Sequence, residues 1–345
     1  MNKFSELYLL VHWNIQQNPV VYLKDEFENQ GFKVKVIDNP WFKKTDFVSK
    51  WSIIRRWWNY YRLGIRTMRN TKPGDFIVAL SFTAGISTAF LNKLFNRKRK
   101  VLLLNLIVRK KGKLNSLIRR LVYHYIFNHK NTIITVNTAE LIEIYRKELN
   151  LGSAKFYPLP DCFNSLQYEL RDYTPGKGYV FAGGASSRDW ETLIKAASIL
   201  PEIDFVFVAR KHTFIHKTPV PQNVKVYFDV NIGKFNEIQR ECSLVAVTVD
   251  EDVPAGLIVI ITAAFLSKPV VATSTSCIKN YINAHNGKLV PMYDHVSLAN
   301  EIKELIADDE KMKAYGESLQ KYILENFSDT DYARKIVEIG NEIFA

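Results

Sequence analysis

"DVPAGLIVIITAAFLSKPVVAT", residues 252–273, is the stretch on which the fold reading turns. A Pro-Ala-Gly turn leads into a run of apolar and small residues of helical length. Lys268-Pro269 then ends that run, and "VVAT" follows with the composition of a strand. A helix that is apolar on every side is a buried helix, and a β-branched strand beside it belongs in the interior of a parallel sheet. Where a ligand-binding turn and helix would offer charged groups, the run has only Pro254 and Thr262.

Outward from this stretch the same alternation continues. Residues 179–249 read "YVFAG" strand, "RDWETLIKAASIL" helix, "DFVFVAR" and "VKVYFDV" strands, "NEIQREC" helix and "LVAVTV" strand. The first half gives strands over 7–13, 32–38, 75–80, 100–108 and 132–137. Helices are expected over 18–31, 84–95 ("AGISTAFLNKLF") and 113–127 ("KLNSLIRRLVYHYIF"). Alternating β and α signals with doubly apolar strands predict parallel sheets covered by helices. The Pro and two glycines of "RDYTPGKG" (171–178) mark a boundary. At 345 residues the chain exceeds what one core usually supports. Two successive Rossmann-like domains are therefore expected, with ligands at the carboxyl ends of the strands and a cleft between the domains.

Composition narrows the function classes. Residues 1–170 hold 28 Lys and Arg against 12 Asp and Glu, while the remainder holds 19 against 23. A one-sided cationic excess calls for an anionic partner. No apolar run has the length of a membrane span, and the N-terminus lacks a signal-peptide core, so a cytoplasmic protein is expected. Cys162, Cys242 and Cys277 are too scattered for a zinc site or a disulfide framework.

Three stretches suit ligands. In "YVFAGGASSRDWETLIKAA" (179–197), Gly183 and Gly184 end a strand, and Ser187 and Arg188 lead into a helix. Glycines admit a ligand close to the backbone, the helix N-terminus favours an anion, and Arg188 suits a diphosphate; alternatively the segment is a tight turn capped by Asp189 or Ser187. Arg210 and Lys211 follow a strand, either as a second phosphate contact or as solvated charges. Residues 41–70 hold eight Lys and Arg, one Asp and eight aromatics, four of them Trp. That mixture suits an anionic bilayer surface, or a helix whose rings cover core, or nucleic acid; the bilayer is the expectation and nucleic acid is not expected as a partner. A second basic cluster lies in "NRKRK" (96–100) and "RKKGK" (109–113). His12, Asn14 and Asn105 stand at strand ends on the ligand side.

The order "GG-x-S-x-RDW-x-TL-x-x-A", "DFVFVAR", "PAGLIVIITAAFLSKPVVAT", "YINAHNGKLVPMYD" and "LENFSDTDYARKIVEI" resembles the C-terminal half of retaining family 4 glycosyltransferases. The resemblance covers the second half well and the first half by topology alone. It implies an α/β GT-B fold, with an acceptor-binding domain over 1–172, a nucleotide-sugar domain over 173–326, and a C-terminal helix over 327–345 crossing back to the first domain. It further implies transfer of a hexose from a UDP- or GDP-linked donor, with retention and with neither cofactor nor metal. Family members acting on lipid-linked acceptors commonly dock on membranes, which places this chain peripherally on the inner face of the cell membrane with a lipid-linked or cell-envelope acceptor.

By the same resemblance Arg188 lies on the donor diphosphate, and Ala255, Gly256 and Leu257 form the turn near the sugar. Thr262 falls at the ribose. The family's two glutamates, eight positions apart, fall on Pro254 and Thr262, so both carboxylates are absent. Glu251 or Asp252 could reach the sugar in place of the first. The alternative that this departure implies is an inactive homologue serving as a binding or partner subunit.

Overall fold

The computed structural model describes residues 4–19, 21, 23–42, 50–108, 113–163 and 169–345, with backbone alone for 50–52 and 113–115. Residues 43–49 of the basic aromatic stretch and 109–112 of the second basic cluster lie outside the described residues. The chain divides into two compact units, Met1–Asp161 with Asp329–Ala345, and Cys162–Ser328.

The first unit runs β1 (Leu7–Leu10), α1 (Lys24–Asn29), β2 (Val34–Ile37), α2 (Lys50–Asn70), β3 (Phe76–Ala79), α3 (Phe82–Leu94) and β4 (Lys100–Leu103). It continues through α4 (Lys113–Phe127), β5 (Thr132–Val136), α5 (Ala139–Leu149) and β6 (Lys155–Pro158). The six strands pair in parallel in the order β2-β1-β3-β4-β5-β6. Every residue of β1, β3 and β5 is buried, as expected of strands covered on both faces. Parallel crossovers are right-handed, so the step from β1 to β2 puts α1 on one face, and every later step, running the other way, puts α2 to α5 on the opposite face. The final helix, α11 (Asp329–Ile343), lies beside α1. Its Gly340 sits against Phe76 and Phe4, and Thr330 donates to Glu26 at 2.6 Å.

Three elements differ from the sequence expectation. The strand predicted over 100–108 stops at Leu103, because Asn105 takes a left-handed φ of 56°. The predicted helix over 18–31 contracts to Lys24–Asn29, behind a left-handed Leu23 at φ 67°. Strand β6 is unannounced because it ends on a proline, which a sheet accepts at its edge, and β6 is an edge strand.

The second unit runs β7 (Tyr179–Gly184), α6 (Trp190–Ile199), β8 (Asp204–Ala209), β9 (Val224–Phe228), α7 (Ile232–Glu241), β10 (Leu244–Val247), α8 (Leu257–Phe265) and β11 (Val270–Thr273). It closes with β12 (Lys288–Val290), α9 (His295–Ile306) and α10 (Asp309–Asn326). Its sheet is also parallel, ordered β12-β11-β10-β7-β8-β9. Trp190 and Phe207 pack at 5.6 Å in its core.

The opening stretch of sequence is α8 and β11; the strand is buried throughout and the helix everywhere but at Ile258, which is exposed, and the half-buried Thr262. Gln239 donates to the Val259 carbonyl at 2.8 Å, and the buried Lys268 ammonium donates to the Thr174 carbonyl at 2.7 Å. Helix α10 crosses the end of α8 at Gly316, where an added Cβ would stand 2.0 Å from the Ser267 carbonyl oxygen. Backbone cannot yield as a side chain end can. Gly316→Ala is expected to destabilise the protein by about 1–3 kcal/mol, read as a lowered melting temperature; an unchanged value would show that α10 shifts freely.

Candidate functional site

In a parallel sheet the strand carboxyl ends share one edge, and the loops leaving them form the ligand side. At that edge of the second unit β7 ends on Gly184, whose φ of 130° belongs to glycine. The loop that follows folds the Arg188 side chain back over it. Arg188 Nε donates to the Gly183 carbonyl at 2.8 Å and Nη1 to the Ser186 carbonyl at 3.1 Å. A Cβ on Gly184 would lie 2.5 Å from Arg188 Nη2, and one on Gly256 would lie 3.5 Å from Nη1. The guanidinium thus sits between two glycine turns. Burial pulls its pKa down to about 10, while the Asp250 charge opposes the fall, so it is a cation at neutral pH.

Asp189 caps α6, accepting from Thr192 N at 3.0 Å, as a helix N-cap should. The turn and phosphate readings of this segment are therefore compatible, because Asp189 serves the helix while Arg188 faces the glycines. Ser187 has a left-handed φ of 50°, and its carbonyl accepts from Asp250 N at 3.3 Å.

Gly256, at φ 84°, opens α8 with no side-chain cap, so the first-turn N–H groups of that helix have no side-chain acceptor there. Ala255 and Leu257 are buried, so a ligand would meet their backbone. Thr262 is half-buried and donates to the Ile258 carbonyl one turn earlier at 2.8 Å, leaving its oxygen as an acceptor. Asp252 is engaged by Ser276, from N at 3.0 Å and Oγ at 2.8 Å, which ties two loops together. The Glu251 carboxylate has no hydrogen-bond partner among the described residues.

Beside this turn lies a cavity of ≈ 220 Å³ at the ends of β7, β8 and β9, lined by Gly184, Ala209, Arg210, Asp229, Ile232 and Phe235 among others. Whole-ligand sites run to roughly 300–1,000 Å³, so this one has room for only part of a larger ligand. Arg210 lies 3.8 Å from Asp229, an exposed pair of small energetic value. Lys211 opens a short 3₁₀ turn, its N–H on Asp229 at 3.4 Å. Asp229 and Phe235 were not anticipated from sequence, since nothing in "DVNIGKF" distinguishes them from loop and helix residues.

The first unit has its own row of polar residues at strand ends. His12 follows β1 and meets Trp13 and Phe42 edge-on at 5.1 and 5.4 Å; burial lowers its pKa, so it is neutral, and its Nδ1 has no partner among the described residues. Asn14 accepts from Gln16 N at 2.9 Å and serves a turn. Asn105 donates its side-chain amide to Asp161 and its backbone N–H to Thr135 Oγ1 at 2.9 Å. Asp161 was not foreseen, because β6 before it was not foreseen.

Burial pushes the Asp161 carboxyl up to about 6 from 3.8, against the Asn105 hydrogen bond. A pKa raised on folding gives stability that is present in acid and lost as pH rises through the folded value. The melting-temperature difference between Asp161→Asn and the parent should therefore shift in favour of the variant as pH climbs from 3.8 past about 6, then level off. A pH-independent difference would refute the burial of that charge.

Solved structures match this architecture over its full length. Sucrose-phosphate synthase from Thermosynechococcus elongatus aligns with a TM-score of 0.68 at 14% identity, over 99% of each chain. The fold is GT-B. A glycosyltransferase from Rickettsia africae aligns at 0.65 and 14% identity, over 99% of this chain and 98% of that one. Anabaena HepE, solved in complex with UDP, aligns at 0.64 and 16% identity, over 97% and 99%. No protein-family model and no curated protein matches the sequence. Two six-stranded parallel sheets with flanking helices are thus shared with GT-B proteins, as the sequence order implied.

Proposed function

We propose that the chain is a glycosyltransferase that moves a hexose from a nucleotide diphosphate-sugar to a lipid-linked or cell-envelope glycan. The observation that carries this reading is the Arg188 guanidinium held between the left-handed glycine turns of Gly184 and Gly256, next to the uncapped start of α8. A cation and convergent backbone N–H groups suit a diphosphate. The adjoining cavity suits the flat nucleobase, with Asp229 and the backbone around it offering polar contacts. HepE, of the same fold, was solved with UDP-glucose.

In the reaction the diphosphate oxygens gain charge as the bond to the sugar breaks, and groups fixed in advance around them lower the barrier. Arg188 suits that role, because two carbonyls rather than a ligand set its orientation. With departure on the face that the acceptor approaches, the leaving phosphate takes the acceptor proton and configuration is retained. Arg188 and the α8 N–H groups meet the charge of the diphosphate, so the proposed reaction is metal-independent. The acceptor is reached at the inner face of a membrane, on which the Trp- and Arg-rich α2 favours docking.

Thermal denaturation with a panel of nucleotides and nucleotide-sugars tests the donor. A nucleotide at a hundred times its Kd adds about 2.7 kcal/mol of stability. A panel in which no UDP- or GDP-linked compound raises the melting temperature would defeat the reading, and sugar release from the stabilising donor would establish turnover.

Thr262 offers a finer test. A carboxylate acceptor is worth about 1.5–3 kcal/mol against about 1 for a neutral one. Thr262→Glu should accordingly tighten nucleotide binding severalfold by calorimetry; an unaltered Kd would remove residue 262 from the ribose.

A further inference from the structure

The first unit carries one short pattern twice. Residues 53–61 of α2 read "IIRRWWNYY" and residues 117–125 of α4 read "LIRRLVYHY": two apolar residues, two arginines, two apolar residues, two more, and a tyrosine. On a helix, positions i, i+1, i+4, i+5 and i+8 form one stripe. In α4 the five residues of that stripe are between 42% and 62% exposed, and in α2 the first four are between 45% and 61% exposed. Soluble helices turn such stripes inward; both of these turn theirs out.

The fold sets the two copies in one layer. Helices α2 and α4 flank α3 on the same face of the sheet, and eight of the thirteen residues of α3 between them are buried. Ser87 of α3 donates to the Tyr60 carbonyl at 2.7 Å, and Phe90 of α3 meets Tyr125 at 5.9 Å. Neighbouring helix axes lie about 8–10 Å apart, so the two stripes run along one surface.

That surface is cationic. Helices α2, α3 and α4 together hold ten Lys and Arg and no Asp or Glu, and among the described ion pairs Arg66 of α2 lies beside a carboxylate, Asp38 at 3.1 Å. Carboxylates return only on α5, with Glu140, Glu143 and Glu148, of which Glu143 lies 3.9 Å from Arg146. An exposed apolar stripe between arginines matches an interfacial helix, whose rings and aliphatic groups enter the acyl boundary while cations meet phosphates. The same charge disfavours a second copy of this face, which would bring arginine against arginine with no carboxylate to answer.

We propose that the twin stripes of α2 and α4 together form the docking surface for an anionic lipid bilayer. The proposal deepens the membrane part of the function given above by adding α4 and by making the contact two-sided. Two arginines at each stripe contribute independently, and Trp57 and Trp58 on α2 and Leu121 and Val122 on α4 supply the apolar contact.

Vesicle flotation of the full chain tests it, with phosphatidylcholine alone and with an equal mixture of phosphatidylcholine and phosphatidylglycerol. The parent should float with the mixture and stay down with the neutral lipid. Each double variant, Arg55→Gln with Arg56→Gln or Arg119→Gln with Arg120→Gln, should weaken binding roughly thirty-fold, and the quadruple variant by the product of the two. Leu121→Ser with Val122→Ser, on a surface where folding is indifferent to the change, should weaken it as well. Equal flotation with both lipids, or an Arg119/Arg120 variant that binds like the parent, overturns the proposal. So does a chain that ignores vesicles and instead dimerises, or binds a duplex, through these arginines. The outcome is independent of the donor reading: a parent that floats as expected yet shows no melting shift with UDP compounds leaves the docking surface standing and removes the donor site.

Discussion

Two backbone positions that glycine alone fills without strain hold the second unit's site open. At Gly184 and Gly256 the chain turns through left-handed conformations, and the space a Cβ would take at each is bordered by the Arg188 guanidinium. The parallel pairing of β7 with β10 brings these turns to one edge, and the carbonyls of Gly183 and Ser186 fix the cation between them. A side chain at Gly184 would expel the arginine. One at Gly256 would strike Val247 at 2.5 Å and tilt the start of α8. The cation, the open helix end and the cavity beside them therefore depend on the absence of two methyl groups.

Much of this arrangement was legible in the sequence. The apolar helix and strand of 252–273, the paired glycines before "RDW" and the strand alternation all pointed to two parallel sheets with loops at their carboxyl ends. What escaped reading did so for physical reasons. Strand β6 contains a proline that only an edge permits, so Asp161 after it carried no signal. Asp229 and Phe235 line the cavity because β9 ends beside β8, and strand order is not written in local composition. Asp252, which the resemblance offers as a stand-in carboxylate, is occupied with Ser276, whereas Glu251 beside it has no such engagement. That distinction rests on which way a loop turns.

The two units divide the chemistry. In the second, polar groups are few and fixed by backbone, and Thr262 places a neutral hydroxyl on a helix face that also exposes Ile258. In the first, strand ends carry a neutral His12 and the Asn105–Asp161 pair, groups that hold or accept protons without large net charge. The helical layer of α2, α3 and α4 carries Lys and Arg with no carboxylate of its own.

A chain with apolar helix faces turned to solvent is exposed to self-association, and the sheet edges bear on how far that hazard extends. Strand β2 carries Lys35 and β6 carries Lys155 before closing on Pro158, which has no N–H to offer a newcomer. Neither border of the first sheet is a flat, uncharged template for another strand. Stickiness is thus confined to side chains on helices, where contact is reversible, and withheld from the backbone, where stacking of one molecule on the next would build fibres.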